Sequence, residues 1–559
     1  MTVSLTEKSS RPATADLLAG HTLLGTLVRE VAGPQQQTTL VDGHLLVRLP
    51  HSGRLLRARV RRASTVAAHR FTGPVQVHDS ADDWDDLTID ELARLIGAEL
   101  TYRSGYRNDE FVAQVTASRD TLADILLTRP AHPQRPVGGV AGDYLDSEQA
   151  LLAGHPRHPA PKWRSGDPAQ WRRFAPETRT AFPLRWLASD QVLEHGDFDR
   201  HAGVPVPGAI PVHPWQFQLV RQDPELGPVL RAALRDGVLR DLGEIGPVFH
   251  PTASVRTLYQ PEADLFLKTS LNVRITNCLR KNAAYELAGA VVLTDVLSGP
   301  FAAVTAKYPD FGFLPEPAAR SVAVPELVEA FGTIARGGLR EHLRPGERVH
   351  LVGTLAAEHP DPAGTCTRLA DLCDVADQRA WAQRWWERYV RMLVPPVLRL
   401  WAEHGVVLEP HPQNVLVAVG PDRMPSRVLV RDLEGTKLIG DRHTATLAAM
   451  PADVALAAGY DDERGWNRIA YCLFVNNLTE VAAALADLAP HLEDDLWSTL
   501  SDVVAETSAE LGHPPRLRAL LAGVPLPAKT NLLVRWERRA DRHAGYVPFP
   551  NPLGQGEFL

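Results

Sequence analysis

The chain has 559 residues, 44% hydrophobic and 23% charged, which are the proportions of a folded globular protein. That length is several times one domain's usual size, so two to three domains or one large compound fold are expected. A formal net charge of −8, with no stripe of Lys and Arg, argues against a nucleic-acid partner, and no apolar run approaches the length of about 18 residues that a membrane span needs.

Residues 1–20 are polar and read as a frayed end without the apolar core of a secretory signal, so a cytoplasmic protein is expected. The four cysteines, Cys278, Cys366, Cys373 and Cys472, show no paired metal spacing and fit reduced thiols. Helical signals dominate from about 12 to 128. Thr88-Ile-Asp-Glu91 is a capping box that opens a helix through Leu92, Leu95 and Ile96. Residues 129–180, rich in Pro, Arg, His and Gly, have loop character. Strand-like runs cluster between 204 and 280, and Asn282 is placed to cap a helix over 283–298. Loops and short helices fill 300–375. A long helix from about 377 to 403 carries Trp381, Trp385, Tyr389 and Leu393 four residues apart, a core stripe that Pro395-Pro396 is expected to kink or split. Beyond it come two alternating runs, 415–419 and 427–431, joined by a Gly420–Ser426 turn, and then mainly helix from 441. The architecture expected is α+β, with a helical front, a mostly antiparallel centre and a helical back around one hairpin.

Three constellations carry chemistry. The first, residues 154–166, packs His155, Arg157, His158, Lys162 and Arg164 among three prolines. A stiff cationic loop suits a polyanion such as a triphosphate or a carboxylate, and the plainer alternatives are a solvated basic loop or a zinc site on the two histidines. The second runs from Ser254-Val-Arg256 through Lys268 to Arg280. Ser254 and Arg256 would share one strand face, and over 271–276 Asn272, Arg274 and Thr276 alternate with Leu271, Val273 and Ile275. Acidic residues are absent from 265 through 285, which favours a ligand-binding sheet face over a plain solvated one.

The third is the hairpin. Glu409-Pro-His411-Pro-Gln413-Asn414 precedes its first strand, and Asp432 follows its second. In kinase-like folds a hairpin sets an Asn and an Asp on one Mg2+–ATP, and Asn414 and Asp432 have that spacing, with Glu409 as a further oxygen ligand. The alternative is an ordinary hairpin with a polar rim. A protein-kinase base would read His-x-Asp, whereas this loop reads His411-Pro-Gln413. A carboxylate is already ionised at neutral pH and needs no base, so attack on the α-phosphate of ATP fits better than phosphoryl transfer to a hydroxyl. A kinase-like small-molecule phosphotransferase and a non-catalytic carboxylate-binding protein remain the rival classes.

The stretches GHPRHPAPKWRSG (154–166), HPWQ (213–216), SVRTL (254–258), LKTSLNVRITNCLR (267–280), LEPHPQNVLV (408–417) and RDLEG (431–435), in this order, resemble the IucA/IucC family, the NRPS-independent siderophore synthetases. The resemblance implies a cupped-hand α+β fold with a mainly helical thumb (1–145), a fingers domain with the antiparallel sheet and anion loop (146–345), and a helical palm carrying the ATP/Mg hairpin (346–559). It implies a cytosolic protein, commonly a homodimer. The activity implied is adenylation of a carboxylate of citrate, or of 2-oxoglutarate or a citrate derivative, then condensation with an amine or alcohol. Members using citrate or 2-oxoglutarate tend to keep the HPxHPxxKxR form found here. By motif the resemblance assigns ATP to His158, Ser254, Arg256, Lys268, Arg280, Glu409, Gln413, Asn414 and Asp432, and Mg2+ to Glu409, Asn414 and Asp432. It assigns the carboxylate substrate to Lys162, Arg164, Arg256, Thr276, Arg280 and His411, with Arg280, Lys268 and His411 nearest the chemistry. One departure is that Gly166 is followed by Asp167-Pro168 rather than the usual Phe.

Overall fold

A computed structural model describes residues 5–78, 83–129, 137–166, 168–275, 278–361, 364–540 and 543–554. Its α+β architecture is organised around three sheets. The first is a five-stranded antiparallel meander between Thr38 and Asp86, which corrects the expectation of a helical front. Its strands alternate: Leu45, Val47, Leu49, Leu56 and Ala58 are buried, whereas their neighbours Arg48, Arg57 and Arg59 are not. The outward arginines mark the period of two that identifies these strands in the sequence. Helix Leu5–Leu27, continued by Val28–Ala32, covers the buried face, so residues 5–20 are helix rather than the frayed end expected; helices Ile89–Ser104 and Phe111–Thr128 pack against it, and Thr88 and Glu91 form the expected reciprocal cap.

The second sheet has eight strands in the order Val192–His195, Ala318–Val322, Thr333–Arg336, Leu265–Thr269, Thr257–Gln260, Arg240–Pro251, Phe182–Ala188, Ile210–Val212. Every pairing in it is antiparallel. The third joins the hairpin, Val415–Val419 with Pro425–Val430, to Arg348–Leu351 and, in parallel, to Phe311–Phe313. This sheet therefore draws strands from both sides of residue 345. A core of Tyr144, Phe266, Leu314, Leu351 and Leu416 cements the second and third sheets together.

Helix Gln378–His404 buries Trp381, Trp385, Tyr389 and Leu393 as expected, but it runs on across Pro395-Pro396 without splitting. Two helices, Ala284–Lys307 and Asp462–Ala486, have the length and composition to cross a membrane. The apolar window of the second is wholly buried in the fold and that of the first is half buried. Asn282 does not cap the helix that follows it. Glu286 accepts from the Ala283 amide, while Asn282 donates to Lys268 O and Gly332 O, both at 2.9 Å, and accepts from Arg256. A buried amide bracing three segments satisfies more polar groups than one helix end would offer.

Candidate active site

The three constellations converge on one cavity of about 910 Å3. His158, Lys162, Arg164, Ser254, Arg256, Lys268, Arg280, Glu409, His411, Gln413, Asn414 and Asp432 all line it. Thr276 and Asp167 lie outside the described residues. Asn272 and Arg274 are not part of the lining: Asn272 bonds Gln216, and Arg274 is exposed. The ligand-facing sheet expected over 271–276 is thus narrowed to its flanks. Ser254 and Arg256 also sit differently from expectation. Residues 252–256 form a turn between two strands, with Val255 in the left-handed region at φ 68° and Ser254 Oγ accepting from Thr257 N at 3.1 Å. The turn, not a strand face, presents both side chains.

The 154–166 loop is held from behind by carboxylates. Arg157 pairs with buried Glu480 at 2.6 Å, and Glu177 takes both Lys162 Nζ at 2.5 Å and Arg164 at 2.9 Å. Burial pushes the Glu177 carboxyl up, but the Arg164 and Lys162 charges outweigh it and hold it at about 2. Glu177 is a site residue that sequence reasoning missed. It lies eleven residues past the 154–166 loop, inside the Pro- and Arg-rich stretch, and only the unbalanced charge of that loop hinted that a partner was needed. His155 of the same loop is neutral by comparison. Burial keeps His155 well below its ordinary value, with the nearby cations and His411 adding to that. Its ring centre stands 6.3 Å from that of His411.

The hairpin wall reverses the charges. Arg431 N donates to Asn414 O at 3.0 Å, which sets the two ends of the hairpin side by side. Arg431 itself is buried against Glu148 at 2.5 Å and Tyr144 OH at 2.7 Å, and Asp432 then adopts a left-handed backbone (φ 71°) that turns its carboxylate into the cavity. Lys268 Nζ bridges Asp432 Oδ1 at 2.6 Å and Glu434 Oε2 at 2.8 Å. Arg336 and Arg256 stand behind at 3.5 Å from Asp432 and Glu434 respectively. Burial raises Asp432, yet Lys268 and Arg336 drive it far below the ordinary carboxylate range, and Glu434 is held at about 2 for the same reasons, with Lys268 the largest opposing charge. Glu286 shares this neighbourhood, and burial together with the Glu434 charge pushes it up to about 7.

His411 Nδ1 accepts from the Gln413 amide at 3.0 Å, so in the neutral imidazole Nε2 carries the proton. Burial keeps His411 below its ordinary pKa despite Glu409 and Asp432 nearby. Glu409 pairs with Arg468 at 3.1 Å. A Cβ at Gly435 would lie 2.1 Å from Glu409 Oε2, so a larger residue there would displace that carboxylate. Glu434, Arg336, Glu286, Lys437 and Arg468 were not anticipated as lining residues, although Glu434 lies inside the RDLEG stretch.

For a divalent cation, no three His, Cys, Asp or Glu side chains stand together as ligands among the described residues. The donor set still fits Mg2+, which takes one or two carboxylates and completes its shell with phosphate oxygens and water. Asp432 Oδ1 and Glu434 Oε2 are engaged by Lys268, which leaves Asp432 Oδ2 and the Asn414 side chain as oxygen donors on the hairpin.

Comparison with known proteins agrees with this geometry. The profile of the IucA / IucC family matches residues 143–203 and 207–357, and that of the ferric iron reductase FhuF-like transporter family matches 383–544. The rhizobactin siderophore biosynthesis protein RhbC of Rhizobium meliloti is 27% identical over 558 residues, covering 92% of this chain and 94% of its own. The L-2,3-diaminopropanoate–citrate ligase of Staphylococcus aureus is 29% identical, with 73% and 74% covered. Among solved structures, ATP-bound aerobactin synthetase IucA from Klebsiella pneumoniae superposes with a TM-score of 0.79 at 23% identity, covering 97% of this chain and 100% of that one. The petrobactin biosynthesis protein AsbB of Bacillus anthracis gives 0.78 at 18% identity, covering 99% and 98%. With the ordered motifs gathered in one cavity, the chain is thus similar in sequence to the IucA / IucC family over residues 143–357 and shares the fold of solved siderophore synthetases along nearly its whole length.

Proposed function

We propose that the protein is an ATP-dependent ligase of siderophore biosynthesis that adenylates a carboxylate of citrate, releases pyrophosphate, and passes the acyl group to an amine or alcohol with release of AMP. The observation that carries this reading is the meeting, in one cavity, of a cationic loop and turn with a carboxylate-bearing hairpin that lacks a His-x-Asp base. Relatives named as citrate ligases for L-2,3-diaminopropanoate and for spermidine support the acid and the amide product.

In this reading the ionised carboxylate attacks the α-phosphorus unaided by a base. Arg256, Lys268 and Arg280 face the charge that develops on the phosphate oxygens, and His158 meets the triphosphate through Nε2–H, since its Nδ1 accepts from Ala160 N at 3.2 Å. Arg280, Thr276 and the Nε2–H of His411 bind the acid, with Lys162 and Arg164 as a rigid cationic backing. Ser254, Glu409, Gln413, Asn414 and Asp432 hold the nucleotide end. A Mg2+ ion held by Asp432 and Asn414, with Glu409 nearby, would spread the phosphate charge. The family likeness supports a homodimer in the cytoplasm and a thumb, fingers and palm arrangement, in which the third sheet joins fingers to palm across residue 345. 2-Oxoglutarate is the second acid to test, because the HPxHPxxKxR form suits both.

The purified protein with ATP, Mg2+ and citrate should release pyrophosphate and AMP, and hydroxylamine should trap the activated acid as a hydroxamate. ADP with a phosphorylated product, and no acid-dependent pyrophosphate, would replace the ligase with the phosphotransferase reading. Pyrophosphate with 2-oxoglutarate alone would change only the acid.

A further inference from the structure

The HPWQ stretch at 213–216 is not part of the cavity lining, yet its four residues share one structural task. They open the helix Pro214–Gln222. Pro214 takes the first helical position, where a missing N–H costs nothing, and His213 Nδ1 accepts from Trp215 N at 3.1 Å. His213 and Trp215 are buried against Phe174, with the indole stacked on that ring at 5.8 Å between centres and 11° between planes. The helix start fixed in this way aims Gln216 at the strand Leu271–Ile275. Gln216 is wholly buried: its Oε1 accepts from Asn272 N at 2.6 Å, and its Nε2 donates to Asn272 Oδ1 at 3.2 Å and to Ala330 O at 2.8 Å.

That strand connects two of the cations assigned to the acid. It lies outside the eight-stranded sheet and forms a separate ribbon with Cys278–Arg280, in which Leu271 stands opposite Arg280. The ladder of this ribbon is irregular between Leu271 and Arg274, and Gln216 takes the Asn272 amide within that gap. The other edge of the strand meets the end of the 154–166 loop. Arg164 bridges Ile275, Ser165 N donates to Arg274 O at 3.1 Å, and Arg274 N donates to Ser165 Oγ at 2.9 Å. Leu271 and Val273 sink into the same core as Trp215 and Phe174.

We infer that Gln216 is a positioning residue for the acid substrate: by pinning Asn272 it fixes the separation of Arg164 and Arg280, which flank the two edges of one strand. The inference rests on the ligase reading above, in which both arginines serve the acid, and adds how they are held. Gln216 lies outside the lining and acts through the strand. Losing its three bonds would leave the irregular stretch of the ribbon without its buried anchor, and the two arginines would then lose their common frame. Asn414 and Asp432, at the nucleotide end, belong to the hairpin of another sheet, so a loosened ribbon is felt by the acid first.

The test uses the full-length enzyme with ATP, Mg2+ and citrate, or 2-oxoglutarate where that acid alone releases pyrophosphate. Two quantities are read: acid-dependent pyrophosphate release, and the acid Kd by calorimetry with α,β-methylene-ATP in place of ATP. Gln216→Met keeps the length of the side chain and removes its three hydrogen bonds. It should raise the acid KM and Kd about tenfold or more, within what a displacement of about 1 Å in a binding group costs, while the ATP KM stays within about twofold. Ser165→Ala cuts a bond on the strand's other edge and should move the acid KM the same way by about threefold, the range of one neutral hydrogen bond. A side chain that only stabilised the fold would lower the active fraction, and with it the apparent kcat, and leave both KM values unchanged. That pattern, or equal rises in the ATP and acid KM, would overturn the positioning role. If circular dichroism shows Gln216→Met unfolded, Ser165→Ala decides, and an unchanged acid KM there would overturn it. Absence of acid-dependent pyrophosphate in the wild-type protein would instead overturn the ligase reading, and the acid Kd alone would then decide the inference. A wild type that also binds neither acid would overturn both.

Discussion

The two walls of the cavity solve the same electrostatic problem in opposite ways. On the loop side, Lys162, Arg164 and Arg157 are fastened from behind by Glu177 and Glu480, so these cations are fixed before any ligand arrives. On the hairpin side, Asp432 and Glu434 are held by Lys268, Arg256 and Arg336, and both partners line the same space. Phosphates and a cation entering there compete with these pairs, so the second wall is built to exchange its contacts and the first to keep them. Rigid backing supplies preorganisation, and exchangeable pairs supply charge that is already in place and ionised.

The largest expected effect strikes the exchangeable wall. Asp432→Asn should lower kcat by about two to three orders of magnitude, the usual cost of removing one group that stabilises transition-state charge. Its circular dichroism should stay that of the folded wild type, although some thermal stability is lost because Lys268 keeps only Glu434, and near-normal turnover at saturating Mg2+ would remove Asp432 from the reaction. Glu177→Gln attacks the fixed wall and should act first on stability. Leaving Lys162 and Arg164 buried without their carboxylate should cost about 3–5 kcal/mol in urea unfolding. An unchanged midpoint would mean that the loop's cations do not depend on their backing. Arg280→Ala should raise the citrate KM strongly and Arg280→Lys should restore only part of it, because Lys lacks the planar fork. Full activity in the lysine variant would exclude bidentate pairing.

The smallest effect is in pH. Glu177 has its pKa lowered in the folded chain from 4.5 to about 2, so the stability it contributes is complete above about pH 4.5 and is lost as pH falls toward 2. Wild type should therefore lose stability across that window more steeply than Glu177→Gln, measured by denaturant unfolding at each pH. Parallel profiles would contradict the assigned ion pairs.

Much of the site was legible because its residues travel in short stretches with local geometry. The hairpin strands, the Thr88 cap and the Trp381 stripe obey periods of two or three to four residues, and those periods survive in the sequence. What escaped depends on distant pairing. Glu177, Arg336 and Arg468 meet their partners only after folding, and no local pattern marks them. The 38–86 sheet was legible too, in the alternation of Leu56 and Ala58 with Arg57 and Arg59, but the helical signals on either side of it outweighed that short pattern. Asn282 misled because a residue suited to capping was spent on a three-way brace, a choice that only Arg256, Lys268 and Gly332 in place can dictate.

One contact far from the chemistry sets when the site can exist. Glu30 is buried and takes the backbone amides of Asn531, Leu532 and Leu533, while Asn531 Nδ2 donates to Arg157 O at 2.8 Å and Arg29 reaches the same oxygen. Leu532 and Trp536 pack in the core beneath the first sheet. Residues near the beginning of the chain and some five hundred positions later thus close over the 154–166 loop together. On the ribosome, every candidate residue up to Asp432 emerges well before this clasp can form. The cavity therefore becomes complete only late in synthesis, and a chain halted before Asn531 would carry all the named site residues yet lack the fastening that shapes their loop.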